Sequence, residues 1–172
     1  MGLAQVNDGF GIGPRMGYYQ VEDAEEGSIF GGIQLRGRLS PYFGVEAAVE
    51  YNPKSKFGVT NGATVEVGSV PLTASALLFL PVSQKFVPYG VAGLGAYHNI
   101  YDTEGAAEVF EIDNTFNLGY HLGFGLQIPF NQNIALNADN RYRFLNPDTN
   151  EENLDDTSFN GNGFRLGLTF YL

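Results

Sequence analysis

The residues of this chain whose chemistry could reach beyond packing are six arginines, two histidines and a scatter of carboxylates. No cysteine is present, which removes a disulfide framework, a thiolate zinc site and a thiol nucleophile. A histidine acting as general base needs a serine or a substrate carbonyl within reach. His121 has no serine near it on its own strand, and along the chain no histidine stands beside a serine. Ser28 and Ser158 lie near the ends of polar segments without a local base. His98 and His121 sit too far apart in register to share a metal. Asp and Asn recur from Asn146 to Asp156, but without the Asp-x-Asp-x-Asp-Gly spacing of a dedicated calcium loop. The expectation is therefore no catalytic residue, no cofactor and no metal site.

The arginines carry more information. Arg15, Arg36, Arg38, Arg141, Arg143 and Arg165 all fall in phase with Gly, Ser, Thr and Asn, while Lys54, Lys56 and Lys85 fall in polar connections. That phase has meaning only if the elements are strands. From 116 to 128, Phe116, Leu118, Tyr120, Leu122, Phe124, Leu126 and Ile128 alternate with polar or small residues. Phe164, Leu166, Leu168, Phe170 and Leu172 repeat the pattern at the C-terminus. Alternation of this kind gives a strand two unlike faces, whereas on a helix it would spread apolar groups all round the axis.

With those two segments as templates, eight strands are expected, at 8–20, 28–39, 42–52, 63–80, 86–100, 107–128, 132–145 and 161–172. The connections at 39–42, 81–85 and 129–132 are short, and those at 20–27, 52–62, 98–106 and 146–160 are long and polar. An even strand number with long connections at one end and tight turns at the other describes an up-and-down antiparallel transmembrane β-barrel. No apolar run reaches the length of a membrane helix. Net charge is 9 − 19 = −10, which argues against a nucleic-acid partner. The 23 glycines approach twice the usual share of about 7%, and on an inner wall they would make room for arginine. Bulges are expected where Gly68 and Pro71 interrupt 66–72. The phase of 89–97 is ambiguous because Val91 and Leu94 belong to opposite faces.

An arginine facing lipid at mid-bilayer costs about 2 to 4 kcal/mol, so the arginine phase must be the inner one. Glu46, Glu50, Asp139 and His121 share it, as do Glu111 and Asp113 if the sixth strand keeps its register. The expected lumen is a salt-bridge network of these residues with trapped water, and Arg36 lies opposite Glu46 if Ser40-Pro41 centres the second hairpin. The lipid-facing set is then Phe116, Leu118, Tyr120, Leu122, Phe124, Leu126, Phe164, Leu166, Leu168 and Phe170. Aromatic girdles are expected from Tyr18, Tyr51, Tyr97 and Tyr142 at one edge and Phe43, Tyr89 and Phe170 at the other. A soluble lipid carrier would show the opposite arrangement, apolar inside and polar outside.

The segments VPLTASALLFLP (70–81), FVPYGVAGLGAYH (86–98), GYHLGFGLQIPFNQNIALNADNRYRF (119–144) and GFRLGLTFYL (163–172) resemble the small outer-membrane β-barrel proteins of Gram-negative bacteria, of the OmpA and OmpX type. The resemblance implies one barrel domain over 1–172, with 1–7 a flexible remnant of an export signal, both termini periplasmic and the long loops outside the cell. It implies a non-enzymatic monomer in contact with outer-membrane lipid and lipopolysaccharide, displaying acidic loops that could meet an extracellular ligand. Those loops carry Glu22, Asp23, Glu25 and Glu26, then Asp148, Glu151, Glu152, Asp155 and Asp156. Some barrels of this kind modify lipid A with histidine and serine, and no histidine-serine pair is expected anywhere in this chain. The other expectation is a narrow channel, lined by Arg15, Arg141, Arg143 and Arg165 and gated by Glu50 and Asp139. The face assignment predicts that Leu122→Arg blocks membrane assembly far more than Gln127→Arg, read as the folded fraction after refolding into lipid. Equal tolerance of the two would refute it.

Overall fold

The computed structural model of the chain describes residues 8–21, 27–59, 63–83, 85–104, 116–145 and 160–172. Its strands are β1 (Gly9–Val21), β2 (Ser28–Arg38), β3 (Phe43–Val59), β4 (Ala63–Phe79), β5 (Val87–Glu104), β6 (Phe116–Pro129), β7 (Ile134–Leu145) and β8 (Gly161–Tyr171). Each pairs antiparallel with the next, and β8 returns to β1 to close the ring, with Ile12 opposite Phe170 and Gly17 opposite Arg165. Closure leaves no sheet edge with unpaired backbone groups, a necessity where no water can hydrogen-bond them.

The short turns are built by side-chain acceptors. Ser40 Oγ accepts from the backbone N–H groups of Tyr42 and Phe43, at 3.3 and 3.0 Å. Asn131 Oδ1 does the same for Asn133 and Ile134, both at 2.8 Å. These local bonds satisfy the backbone where the ladder ends.

Several elements differ from the sequence expectation. β3 runs on to Val59 and β5 to Glu104, where 52–62 and 98–106 read as loops. These extensions hold few alternating apolar residues, so periodicity has nothing to mark there. The β4–β5 register is unbroken from Thr64 opposite Glu104 to Phe79 opposite Tyr89, so β4 carries no bulge. The irregularity lies in β3, where the register to β4 shifts between Asn52 and Ser55, across from Gly68. Pro53, which has no N–H to give the ladder, falls within that step. The expected start of the sixth strand at 107, together with Glu111 and Asp113, lies outside the described residues, as do residues 1–7.

In β5 the phase resolves with Val91 inside and Leu94 outside. Tyr89 and Tyr97 consequently point inward and are buried, rather than joining the outer girdles. Leu77, Phe79, Val87, Tyr89 and Val91 form an apolar cluster on the inner wall at the short-turn end, so the lumen is not polar throughout.

Two glycines separate closure from surface. A Cβ on Gly13 would run into the Leu168 carbonyl oxygen across the β1–β8 seam, while one on Gly31 meets nothing within 4 Å. Gly13→Val should therefore cost about 1 to 3 kcal/mol of barrel stability in a urea unfolding series, with Gly31→Val close to neutral. Comparable losses in both would mean that the seam is not the tight point.

Candidate functional site: the lumenal charge network

All six arginines are buried inside the ring, with Glu46, Glu50, Asp139 and His121. Each inward position alternates with an outward one, and strand pairing brings residues far apart in sequence to the same height. The middle of the lumen is organised by Glu46. Its Oε1 accepts from Arg15 Nη1 at 3.0 Å and Arg141 Nη2 at 2.8 Å. Its Oε2 accepts from Arg36 at 2.7 Å, by both Nε and Nη2, and Arg36 is the residue directly opposite in the β2–β3 register.

Asp139 completes this layer. Arg141 donates to it twice, from Nε at 2.7 Å and Nη2 at 3.0 Å, and Tyr89 donates its hydroxyl proton to Oδ2 at 2.8 Å. Arg36 reaches the same Oδ2 at 3.5 Å, gives Nη1 to Asn137 at 2.7 Å, and lies over the Tyr89 ring at 5.0 Å. Two carboxylates and three guanidiniums from β1, β2, β3 and β7 are thus tied across the bore. Charge-assisted bonds of this kind are short and directional, and in a low-dielectric interior they are strong when complete.

Toward the short-turn end, Gln34 and Asn137 both donate to Thr169 Oγ1, at 2.9 and 2.7 Å. Arg38 gives Nη2 to the Pro41 carbonyl at 3.1 Å and packs over Phe79 at 4.6 Å. Toward the long connections, Glu50 Oε1 is shared by Arg15 and Arg165, at 3.3 and 3.1 Å. Arg143 is clamped between the rings of Tyr19 and Tyr97, 4.3 Å from each centroid. Phe30 lies beneath Arg165 at 5.3 Å.

A histidine-serine pair does exist, contrary to the expectation that the chain holds none. Ser75 Oγ and His121 Nε2 lie 2.9 Å apart, joined across β4, β5 and β6 by the row Ser75, Gly93, His121. Sequence spacing cannot show it, because the two residues come from strands separated by a third. Arg141 Nη1 also reaches Ser75 Oγ at 3.4 Å, so the pair is a branch of the arginine network. The side chain of His98 lies outside the described residues.

On the outer face, Leu118, Tyr120, Leu122, Phe124, Phe164, Leu166 and Phe170 are exposed, and Leu126 and Leu168 are half-exposed. Tyr18, Tyr51 and Phe43 are also exposed. Phe116 is in β6, with its side chain outside the described residues. An apolar exterior around a charged interior is the arrangement for hydrocarbon, not water.

The model of the outer membrane protein β-barrel domain family matches residues 1–170. The chain belongs to that family. Its place is accordingly the bacterial outer membrane. Neisserial surface protein A is similar in structure with a TM-score of 0.68 at 12% identity, over 95% of this chain and 97% of that one. A major outer membrane protein of Thermus thermophilus gives 0.62 at 13% identity, over 95% and 98%. The attachment invasion locus protein of Yersinia pestis, in complex with the heparin analogue sucrose octasulfate, gives 0.59 at 14%, over 95% and 97%. At these identities the likeness is one of fold. No curated protein matches the sequence.

The interior of the barrel is tied across by its own side chains, with Glu46 as the shared partner. Removing Glu46 strands three guanidiniums inside the wall, so Glu46→Ala is predicted to destabilise the folded barrel by about 3 to 5 kcal/mol, less whatever lumen water recovers. Urea unfolding of the refolded chain in micelles is the check, and an unchanged midpoint would disprove the hub.

Proposed function

We propose that this protein is a non-enzymatic, monomeric outer-membrane scaffold, one barrel domain that presents acidic loops at the cell surface. Both termini lie on the periplasmic side and the long connections outside. The observation that supports this best is the sharing of Glu46 among Arg15, Arg36 and Arg141, a knot spanning the bore. A barrel of this strand number has an interior that side chains can just fill, and a filled interior moves function to the loops. The fold is compatible with many activities, so the argument rests on this interior and not on resemblance.

The Ser75 and His121 pair fits the same reading. Both side chains are buried among arginines in the lumen wall rather than facing the outer leaflet, where a lipid substrate would sit. The acidic loop residues, from Glu22 to Glu26 and from Asp148 to Asp156, lie outside the described residues. They would meet lipopolysaccharide through divalent cations or an extracellular ligand, by contacts that weaken with salt.

The second reading is a narrow channel, with Arg15, Arg141, Arg143 and Arg165 along the path and Glu50 and Asp139 as its gate. It draws support from the excess of buried arginine over buried carboxylate among the described residues, six against three, which would favour anions. Single-channel recording in a planar bilayer separates the two. The scaffold reading expects folded native protein to give no discrete openings. Openings whose conductance changes with Asp139→Asn would establish the channel instead.

A further inference from the structure

We propose that the lumen end bounded by Arg15, Arg143 and Arg165 is a binding site for a small phosphate-class oxyanion. The inference begins with charge. In the middle layer, Arg15, Arg36 and Arg141 share the two carboxylates of Glu46 and Asp139. Toward the long connections, Arg143 and Arg165 face one buried carboxylate among the described residues, Glu50, which Arg15 of the middle layer also reaches at 3.3 Å. A buried charge demands a counter-charge, and water satisfies donors without supplying one.

The donors point the same way. Arg15 Nη2, Arg143 Nε, Thr73 Oγ1 and the hydroxyls of Tyr19 and Tyr97 are buried polar atoms without a hydrogen-bond partner. Each belongs to a residue at least nine-tenths buried, the most exposed being Tyr19 at 8%. Three of these groups are brought together by Arg143, whose guanidinium carbon lies 4.3 Å from the ring centroids of both Tyr19 and Tyr97. They supply the mixed guanidinium and hydroxyl set that recognises a tetrahedral oxyanion.

The layer is also pre-organised. Arg143 is held by aromatic faces, with the Tyr19 and Tyr97 ring centroids each 4.3 Å from its guanidinium carbon. Glycine makes the floor: a Cβ on Gly95 would stand 2.5 Å from the Tyr97 hydroxyl, and one on Gly163 would stand 3.0 Å from Arg165 Nη1. Glu50 Oε2 is a further buried atom without a partner. As an acceptor it favours an oxyanion that still carries a proton, hydrogen phosphate over sulfate.

The test is thermal unfolding of the full refolded chain in uncharged micelles at fixed ionic strength, followed by circular dichroism. Binding to the folded state alone raises the midpoint with ligand concentration. Inorganic phosphate should raise it progressively and sulfate less. Arg143→Gln should weaken the apparent affinity about tenfold, the worth of one charge-assisted bond. Lys85→Gln, on an exposed turn, should respond as the native chain does. Should Arg143→Gln fail to fold, Tyr97→Phe keeps the ring and loses only the hydroxyl, and should bind phosphate more weakly. Phosphatidylglycerol in the same micelles should not reproduce the effect, since its headgroup lies at the outer face of the barrel and the arginines are buried on the inner one. A native midpoint indifferent to phosphate would mean that carboxylates elsewhere in the chain neutralise the layer, and would overturn the site. So would an equal response to sulfate, to the lipid, or in the variants.

Discussion

The structure depends on enclosing six guanidinium groups inside a ring of strands that faces hydrocarbon on its other side. Taking one ion from water into a low-dielectric interior costs several kcal/mol even after relaxation, and the cost is recovered only when hydrogen bonds and counter-charges are nearly complete. Glu46 meets this demand by accepting from three arginines, and Asp139 by accepting from Arg141 twice and from Tyr89. The aromatic residues inside the barrel serve the same end. Tyr19, Tyr97, Phe79 and Phe30 offer ring faces where carboxylates are fewer, and a desolvated cation over a ring gains up to about 2 kcal/mol.

Other features follow from this packing. Glycine on the inner wall is what lets long side chains lie flat across neighbouring strands, as at Gly163 beneath Arg165 and Tyr19. The outer wall has no such demand and presents Leu, Phe and Ile to lipid. The network is also asymmetric along the axis. It has an apolar cluster with Arg38 beside it at the short-turn end, three arginines on two carboxylates at the middle, and Arg143 and Arg165 near Glu50 toward the long connections. That gradient makes the two ends chemically different, as their two surroundings are.

Much of the fold was legible because hydrocarbon enforces alternation: 116–128 and 161–172 read as strands without ambiguity. The height of Arg36 followed from counting out from the turn, which is why it stands opposite Glu46 about Ser40-Pro41. What stayed hidden has a common cause. β3 beyond Asn52 and β5 beyond Ile100 extend past the stretch where apolar alternation marks a strand, so their continuation leaves no trace in hydrophobicity. Tyr89 and Tyr97 looked like interfacial residues because aromatic type alone does not reveal phase, and Val91 and Leu94 disagreed about it. The contact of Ser75 with His121 required knowing that β4 and β6 flank Gly93, a fact of topology rather than of spacing.

The central claim is that Glu46 is the shared acceptor of an arginine knot in the membrane-embedded barrel. Its most direct test is solid-state NMR in lipid bilayers, measuring dipolar coupling between labelled glutamate carboxyl carbons and labelled arginine side-chain nitrogens. The Glu46 carboxyl should couple strongly to more than one guanidinium, in keeping with contacts of 2.7, 2.8 and 3.0 Å. A Glu46 carboxyl carbon with no arginine coupling would contradict the account, because the bore would then be held by something other than these charges.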